Sequence, residues 1–285
     1  MIVCTTVEEL KALRRARDEA GNKEPVGFVP TMGYLHDGHA RLMQQARREC
    51  GHVVASIFVN PLQFGPKEDF SNYPRDLERD AALAGQNGVD LLFAPAVDDL
   101  YGPDGVVSRV HVALLGDHLC GASRPGHFDG VCTVLSTLFH LVRPQRAYFG
   151  KKDAQQWRIV RRMAQDLQFP LEIVPVETVR EPDGLAKSSR NVYLSAAQRA
   201  AAPILGRTLA HVADEVSRGE RKTAVLRATA LRMLQGEPLL RLDYLSFVDG
   251  ETLQPVETVE RGKTTLCAVA AFVGGTRLID NVELS

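Results

Sequence analysis

The stretch Val26-Gly-Phe-Val-Pro-Thr-Met-Gly-Tyr-Leu-His-Asp-Gly-His39 joins an apolar run, a loop with two glycines and the first residues of a helical pattern. The apolar residues of Val26–Pro30 predict a buried strand, and the pattern of Gly38–Glu49 predicts a helix. A strand that leads through a short loop into a helix is typical of a βαβ unit. The stretch therefore predicts a fold of the α/β class.

The same alternation continues to about residue 179. The further predicted strands are Val53–Val59, Leu91–Ala94, Arg146–Phe149 and Leu171–Val176, and the further predicted helices are Asp76–Gln86, Val131–Val142 and Ala154–Asp166. Strands that are apolar nearly throughout and separated by helices favour a parallel sheet covered on both faces. Residues 1–179 are therefore expected to form a Rossmann-like, doubly wound parallel sheet.

After about residue 180 the pattern changes. A polar loop is followed by two helical stretches and three strand-like runs. These are Ala196–Arg218 and Lys222–Gln235, then Leu242–Val248, Thr265–Val273 and Thr276–Val282. The pair Gly274-Gly275 between the last two runs is typical of a two-residue hairpin turn. Residues 180–285 are predicted to form a smaller α+β domain that acts as a lid.

The composition excludes several classes of protein. The 285 residues include 34 Lys and Arg against 35 Asp and Glu, which gives a net charge of −1. This balance argues against a protein that binds nucleic acid or an anionic membrane surface. The longest apolar run, Leu266–Val273, is shorter than the roughly 20 residues that cross a bilayer. Five scattered cysteines and the lack of a signal-peptide pattern predict a cytoplasmic location.

His36 and His39 lie three residues apart at the predicted start of the first long helix, so they project from the same side. A helix start at the carboxyl edge of a parallel sheet is a natural phosphate site. Two imidazoles there can donate hydrogen bonds to phosphate oxygens. The alternatives are a pair of capping or core histidines, or half of a metal site. The neighbouring Gly33 and Gly38, which allow a ligand to approach the backbone, favour the phosphate site.

Two common phosphate motifs are absent from the sequence. No G-x-G-x-x-G occurs, and Gly262-Lys263-Thr264 lacks the first glycine of a Walker A motif. A nucleotide would therefore be held by the His-x-x-His element.

Five segments, in this order, resemble the pantothenate synthetase family, which belongs to the nucleotidyltransferase superfamily with its H-x-G-H signature. They are Pro30–His39, Phe58–Phe64, Arg124–Phe128, Phe149–Gln156 and Gly184–Asn191. The resemblance implies an ATP-dependent ligase that joins pantoate to β-alanine through a pantoyl adenylate and releases AMP and pyrophosphate. It also implies Mg²⁺ and a homodimer.

The resemblance implies three sets of site residues and one metal ligand. ATP is expected to contact Pro30, Thr31, Met32, His39, Gly150, Lys152, Asp153, Val179, Lys187, Ser188, Ser189 and Arg190. Charge on the departing pyrophosphate is expected to be stabilised by His36, His39, Lys152, Ser188, Ser189 and Arg190, with no nucleophilic side chain. Pantoate is expected to contact Met32, Asn60, Gln63, Phe64, Arg124 and Gln156. Asp80 is the expected Mg²⁺ ligand.

The residue types suit these roles. Asn and Gln amides each offer a donor and an acceptor to a hydroxy acid, and the arginine fork bonds phosphate with two N–H groups. Asn60 could instead be an ordinary turn-stabilising residue. Three positions depart from the family pattern, namely Leu62, Lys151 and Lys187. In the helix that follows Lys152, the residues Arg158, Arg161 and Arg162 are predicted to form a solvated face.

Several alternative functions remain open from the sequence. Another H-x-G-H nucleotidyltransferase, transferring a cytidylyl or adenylyl group, would use the same His pair. A tRNA synthetase is disfavoured because it would need a larger basic RNA-binding region, which this chain lacks. A non-catalytic nucleotide sensor would bind ATP without turnover.

A zinc site from His111, His118, Cys120 and His127 is disfavoured because their spacings do not pair like those of structural zinc ligands.

Overall fold

The structure is a computed structural model that describes residues 1–66 and 68–285. Its strands are β1 Ile2–Cys4, β2 Val26–Thr31, β3 His52–Ile57, β4 Leu91–Phe93, β5 Arg146–Gly150, β6 Glu172–Val176, β7 Leu240–Asp249, β8 Thr265–Val273 and β9 Thr276–Leu284. Its α-helices are α1 Val7–Glu19, α2 Asp37–Glu49, α3 Leu77–Gln86, α4 Val97–Tyr101, α5 Leu119–Ser123, α6 His127–Val142, α7 Ala154–Asp166, α8 Ala196–Ala201, α9 Ile204–Ser217 and α10 Thr223–Gln235. Short 3-10 helices lie at Pro61–Gln63 and Ser189–Tyr193.

The chain divides into two compact units. The first unit comprises Met1–Val112, Arg124–Lys151 and Ile159–Glu177. The second unit comprises Ala113–Ser123, Lys152–Arg158 and Thr178–Ser285. The predicted limits of 1–179 and 180–285 follow chain order, whereas the second unit also takes up two short segments from the N-terminal part of the chain.

Six parallel strands form the sheet of the first unit, in the order β1-β4-β3-β2-β5-β6. The chain runs from β2 to β3 on one side, while β5 pairs with β2 on the other side, so the topology switches between β2 and β5. Ligands of open parallel sheets bind outside the carboxyl ends of the strands at such a switch. The predicted Rossmann-like parallel sheet is confirmed, and its switch lies where the segments after Thr31 and Gly150 begin.

One face of this sheet is buried under α2. Val53 and Ala55 of β3 and Leu92 of β4 are fully buried and pack with Leu35 and Met43 of the α2 region. Burial of apolar side chains on this scale supplies most of the favourable free energy of folding. The loop that carries His36 is therefore anchored at both ends, by β2 and by α2.

The second unit contains a three-stranded antiparallel sheet, β7-β8-β9. Helices α9 and α10 pack against it through buried residues such as Leu209, Leu226 and Phe247. Val273 pairs with Thr276 across Gly274-Gly275, which confirms the predicted two-residue hairpin turn. The smaller α+β part that the sequence predicts is thus present.

The structure differs from the sequence predictions in several elements. The predicted helix Ala196–Arg218 is two helices, α8 and α9, because Pro203 lies between them and cannot continue a helix. Residues 2–19 form β1 and α1, to which the sequence analysis assigned no element.

Arg158 does not lie on a solvated face. Its side chain is only 3% exposed and donates hydrogen bonds to the carbonyls of Ala154 and Gly250 and to the carboxylate of Glu283. The prediction was wrong because helix periodicity cannot show that a carboxylate of the C-terminal strand β9 lies against this side of α7.

None of the helices in the described residues is long and apolar enough to cross a membrane.

Candidate active site

The loop after β2 is held in an unusual backbone conformation by one buried carboxylate. Gly33 and Tyr34 both have positive φ, at 84° and 50°. The carboxylate of Asp80 accepts hydrogen bonds from the backbone N–H groups of Tyr34 at 2.6 Å and Leu35 at 2.7 Å. A Cβ on Gly33 would lie 2.9 Å from the Ile57 side chain, so a larger residue would not fit without movement.

Asp80 does not have the environment of a metal ligand. Its side chain is 1% exposed, and both of its oxygens already accept backbone hydrogen bonds. Burial raises the pKa of the Asp80 carboxyl, although the two N–H partners oppose that effect. Asp80 therefore holds the loop that leads to His36, and the described residues do not fit a magnesium site there. The sequence could not show this, because the partners are backbone groups about 45 residues away.

His36 and His39 form the start of α2. The Nδ1 atom of His36 accepts a hydrogen bond from the N–H of Gly38 at 3.1 Å. In return, the Nδ1 atom of His39 accepts one from the N–H of His36 at 3.2 Å. The two half-buried rings lie 4.1 Å apart between centroids. These reciprocal bonds satisfy two of the N–H groups that every helix start leaves unpaired.

These bonds determine which ring nitrogen carries the proton. A neutral imidazole has one donor and one acceptor nitrogen. Because Nδ1 is the acceptor in both rings, Nε2 carries the proton in both. The capping alternative is therefore confirmed, since each ring caps the helix through Nδ1. The phosphate role of the pair stays a prediction, and it would fall to the N–H at Nε2.

Asn60 and Gln63 lie at the end of the segment after β3, around the 3-10 helix Pro61–Gln63. The Asn60 amide nitrogen donates to the Gln63 side-chain oxygen at 3.1 Å and to the Gly130 carbonyl at 3.0 Å. Its oxygen accepts from the Tyr101 hydroxyl at 2.8 Å and from the Leu62 N–H at 3.2 Å. All four hydrogen-bonding positions of this 1% exposed amide are therefore occupied within the protein.

The same contacts orient Gln63. Its oxygen faces Asn60, and its amide nitrogen lies 3.1 Å from the sulfur of Met32. Phe64 follows and packs edge-on against Phe70, with 5.4 Å between ring centroids. Met32, Gln63 and Phe64, which were predicted to contact the acid, are thus brought together in the first unit. Asn60 orients the Gln63 side chain and stabilises the turn, which agrees with the alternative that Asn60 is a turn-stabilising residue.

Replacing Asn60 with Asp should destabilise the protein by about 3 kcal/mol or more, because a buried carboxylate would face the Gly130 carbonyl without a donor. Urea unfolding at neutral pH measures the change. Asn60→Ala is the matched control, and it should cost less because it introduces no charge. If Asn60→Asp were as stable as the wild type, the amide NH₂ group would not be facing Gly130.

Arg124 is part of a chain of hydrogen bonds that ends on Gln63. Its guanidinium donates from Nε and Nη2 to the two oxygens of Glu68, at 2.6 and 2.7 Å. Its Nη1 atom lies 3.0 Å from Nε2 of His127, and Nδ1 of His127 lies 2.8 Å from the Gln63 carbonyl. Since the guanidinium can only donate, His127 accepts at Nε2 and donates from Nδ1. Arg124 and His127 therefore hold the Gln63 backbone.

Glu68 is a residue of this site that the sequence analysis missed. It lies in a polar loop without a motif, so the sequence gives no signal for it. Burial by itself would raise the pKa of the Glu68 carboxyl, but the Arg124 guanidinium, together with the Gly65 N–H and His127, lowers the pKa below its ordinary value of 4.5. The pair is thus charged at neutral pH.

The lowered pKa predicts how stability depends on pH. The stabilisation by the Glu68–Arg124 pair is complete above the ordinary pKa and is lost as the pH falls through the lower pKa of the folded state. We expect Glu68→Gln to be less stable than the wild type by about 1 kcal/mol at neutral pH. Urea unfolding between about pH 3 and pH 7 should show this difference shrinking on acidification. A difference that stayed constant would contradict the ion pair.

The segment after β5 begins in the first unit. Gly150 ends the strand, and the N–H of Lys151 donates to the Val176 carbonyl at 2.8 Å. The Lys151 ammonium pairs with the carboxylate of Glu177. This lysine, which departs from the family pattern, is therefore partly neutralised by the residue that follows the adjoining strand β6.

The next residues belong to the second unit. Lys152 and Asp153 are half-buried and directly precede α7, and the Asp153 carbonyl accepts the N–H of Trp157 as the helix begins. Gln156 lies in the first turn of α7 and is half-buried. Lys152 is thus fixed at a helix start, where N–H groups and the helix dipole favour an anion.

The polar loop after β6 is ordered as a narrow hairpin. The N–H of Lys187 donates to the Val179 carbonyl at 2.9 Å, and the N–H of Glu181 donates to the Leu185 carbonyl at 2.8 Å. The Lys187 ammonium lies 3.0 Å from the Glu181 carboxylate. The interdomain linker that the sequence allowed is therefore a structured part of the second unit.

A 3-10 helix follows this hairpin at Ser189–Tyr193. The Ser188 hydroxyl caps it by accepting the N–H of Arg190 at 3.3 Å. Ser189 is 7% exposed, and Arg190 is half-buried. The second unit therefore contains Lys152, Ser188, Ser189 and Arg190 of the predicted catalytic set, and the first unit contains His36 and His39.

Within the described residues there is no group of three or more His, Cys, Asp or Glu that could hold a metal ion. His111 pairs with Asp129 at 2.8 Å, and His118 contacts Gln254 at 3.1 Å.

Comparison with known proteins gives consistent matches over nearly the whole chain. A family model described as Pantoate-beta-alanine ligase matches residues 2–283. Pantothenate synthetase from Pelotomaculum thermopropionicum is 51% identical over 284 residues, which is 100% of this chain and 99% of that protein. The enzyme of the same name from Heliobacterium modesticaldum is 53% identical over 267 residues, 94% of each chain.

Solved structures of proteins with these names match the fold over nearly the whole chain. Pantothenate synthetase from Thermus thermophilus gives a TM-score of 0.92 with 52% identity and covers 99% of both chains. A pantoate-beta-alanine ligase from Francisella tularensis, complexed with beta-gamma ATP and beta-alanine, gives a TM-score of 0.79 with 30% identity, over 99% of this chain and 97% of that one.

Proposed function

Because the chain belongs to the pantoate-beta-alanine ligase family, we propose that its residues activate pantoate with ATP and then join it to β-alanine. An amine cannot form an amide with a free carboxylate directly, because the oxide that would have to leave the acyl carbon is too poor a leaving group. In the first step the pantoate carboxylate oxygen attacks the α-phosphorus of ATP, and the bond to pyrophosphate breaks. In the second step the amine of β-alanine attacks the acyl carbon, AMP leaves, and the amine loses a proton as the amide forms.

In the first unit, Gln63 holds pantoate through its side-chain amide, and Met32 and Phe64 provide apolar walls for the acid. Asn60 acts through Gln63, since its own amide is saturated by protein groups. Arg124 likewise supports Gln63 through His127 and the Gln63 carbonyl. In this arrangement one polar side chain binds pantoate and several others hold that side chain in place. Such support keeps the bound acid in the geometry that the reaction requires.

His36 and His39 contribute the donors for phosphate. The observation that carries this assignment is the pair of Nδ1 bonds within the helix start, which place the proton of each ring on Nε2. A donor that is already oriented stabilises charge developing on a phosphate oxygen without reorganisation during the reaction. Pro30, Thr31 and Gly150 supply backbone at the carboxyl edge of the sheet, where the nucleotide is expected.

In the second unit, Lys152, Ser188, Ser189 and Arg190 are assigned to the phosphates. Lys152 supplies a point charge and Arg190 a planar fork of N–H groups. Asp153, Val179 and Lys187 complete the proposed ATP contacts, and Gln156 is assigned to pantoate. Catalysis then consists of alignment and charge stabilisation, and no side chain forms a covalent intermediate.

Magnesium enters this proposal only as an ion that accompanies the triphosphate, because Asp80 is 1% exposed and each of its oxygens is already engaged by a backbone N–H. Mg²⁺ bound to nucleotides keeps several waters and needs few protein ligands. The homodimer is retained as a prediction from the family resemblance, and the cytoplasmic location as a prediction from the cysteine pattern and the N-terminal sequence.

The test is pantoate-dependent exchange of labelled pyrophosphate into ATP, with β-alanine withheld. Exchange requires that the first step be reversible and independent of the amine. We expect exchange with pantoate and none with acids that lack its hydroxyl groups. Exchange without pantoate, or its strict dependence on β-alanine, would contradict the two-step proposal.

A further inference from the structure

Two neighbouring residues of the last strand, Asp280 and Asn281, contact the second unit close to both phosphate-assigned segments. Asn281 contacts Lys152 itself. Asp280 contacts Arg180 in the hairpin that leads to Ser188. Asp280 and Asn281 lie on β9, far along the chain from either segment. Both are buried, at 3% and 9% exposure. No motif marked them in the sequence.

Asn281 holds the segment that carries Lys152. Its side-chain amide donates a hydrogen bond to the backbone carbonyl of Lys152 at 2.9 Å. That carbonyl is the last but one before α7 begins at Ala154. The bond therefore fixes the peptide from which the Lys152 side chain projects.

Asp280 holds the base of the loop that carries Ser188 and Arg190. Its two oxygens accept from Nη1 and Nη2 of Arg180, at 2.6 and 2.9 Å. The same Nη1 atom donates to the Gly184 carbonyl at 3.0 Å, so Arg180 ties the turn of the loop's hairpin to β9. One Asp280 oxygen also accepts the N–H of Asn281 at 2.8 Å, which couples the two contacts.

We propose that Asp280 and Asn281 are positioning residues that set the spacing between Lys152 and the Ser188–Arg190 loop for phosphate binding. This inference rests on the proposed function, which assigns both segments to ATP. Adjacent residues on one rigid strand can fix two segments relative to each other more closely than two separate contacts could. A lysine or arginine displaced by about 1 Å loses much of its effect on a transition state.

A double-mutant cycle distinguishes positioning from general support of the fold. Asn281→Ala removes the bond to a backbone carbonyl, which is present whether residue 152 is Lys or Ala. Its effect on urea unfolding should therefore be equal in the wild type and in Lys152→Ala. Its effect on kinetics should not be equal, because in Lys152→Ala there is no ammonium to position.

We expect Asn281→Ala to lower kcat/KM for ATP in pyrophosphate exchange about ten-fold, equal to about 1.4 kcal/mol, in the wild type. In Lys152→Ala we expect a change of less than about two-fold. Glu283→Gln is the matched control on the same strand, because it breaks the pair with Arg158 and contacts neither segment through that pair. It should lose stability without this dependence on Lys152.

Equal losses of activity in both backgrounds, or no loss in either, would overturn the proposal. A Lys152→Ala enzyme that exchanged at the wild-type rate would instead overturn the assignment of Lys152 to phosphate. If Asn281→Ala does not fold, Asp280→Asn replaces it as the variant, because it keeps the side-chain volume. The same double-mutant cycle is then measured with Arg190→Ala in place of Lys152→Ala. A loss that persisted undiminished in Arg190→Ala would again overturn the proposal.

Discussion

Replacing His36 with Asn, or His39 with Gln, should slow pantoate-dependent pyrophosphate exchange by about 100-fold or more, while stability stays near that of the wild type. The reason is that each imidazole has two separable functions. Asn is a favoured capping residue and can accept the Gly38 N–H in place of Nδ1, and Gln can reach back to the N–H of residue 36 in the same way. Neither replacement provides an N–H donor where Nε2 was.

The matched variant is His36→Ala, which removes the cap as well as the donor. It should lose about 1 kcal/mol of stability and as much activity as His36→Asn. Urea unfolding and exchange rates on the same three variants separate the two functions. If His36→Asn retained wild-type exchange while His36→Ala did not, the histidine would act through the helix start alone.

Lys152→Ala should lower the exchange rate by about 100-fold, whereas Lys151→Ala should change it by less than about three-fold. The two lysines are adjacent in the chain, and both are half-buried at the end of the same strand segment. Lys151 has its carboxylate partner Glu177, and a partly exposed pair of this kind contributes about 0 to 1 kcal/mol. Lys152 is instead fixed at the start of α7 through its carbonyl.

This comparison tests position rather than charge, since both variants lose one positive charge. Rates are compared at saturating ATP and at ATP well below KM, so that binding and chemistry are separated. Equal losses of exchange rate in the two variants would indicate that the overall positive charge of this segment supports the reaction. The specific assignment of Lys152 to phosphate would then be wrong.

The parts of this structure that depend on local sequence were predicted from it. Helix α7 begins and ends where the apolar periodicity placed it, and the His pair begins α2 because glycines and a strand precede it. In each case the pattern and its consequence lie within about a dozen residues. The parallel sheet followed for the same reason, since it requires only that such units repeat.

Roles that depend on distant partners were not predictable. Asn60 was expected to bind the acid, but its amide is saturated partly by Tyr101 and Gly130, 41 and 70 residues away. Arg158 was expected in solvent, yet its partner is Glu283, 125 residues away. A single sequence shows which groups are able to form hydrogen bonds, but not which of those bonds the protein has already formed internally.

The two short segments that the N-terminal part of the chain contributes to the second unit affect how the protein could be divided. Residues 113–123 and 152–158 belong to the second unit, where Leu119 and Ala154 pack with Leu253 and Leu266. A polypeptide that ended at residue 179 would keep these apolar side chains and lose the surface that covers them. A chain cut there is therefore expected to aggregate rather than to fold as an independent half, so the two parts are expected to fold only together.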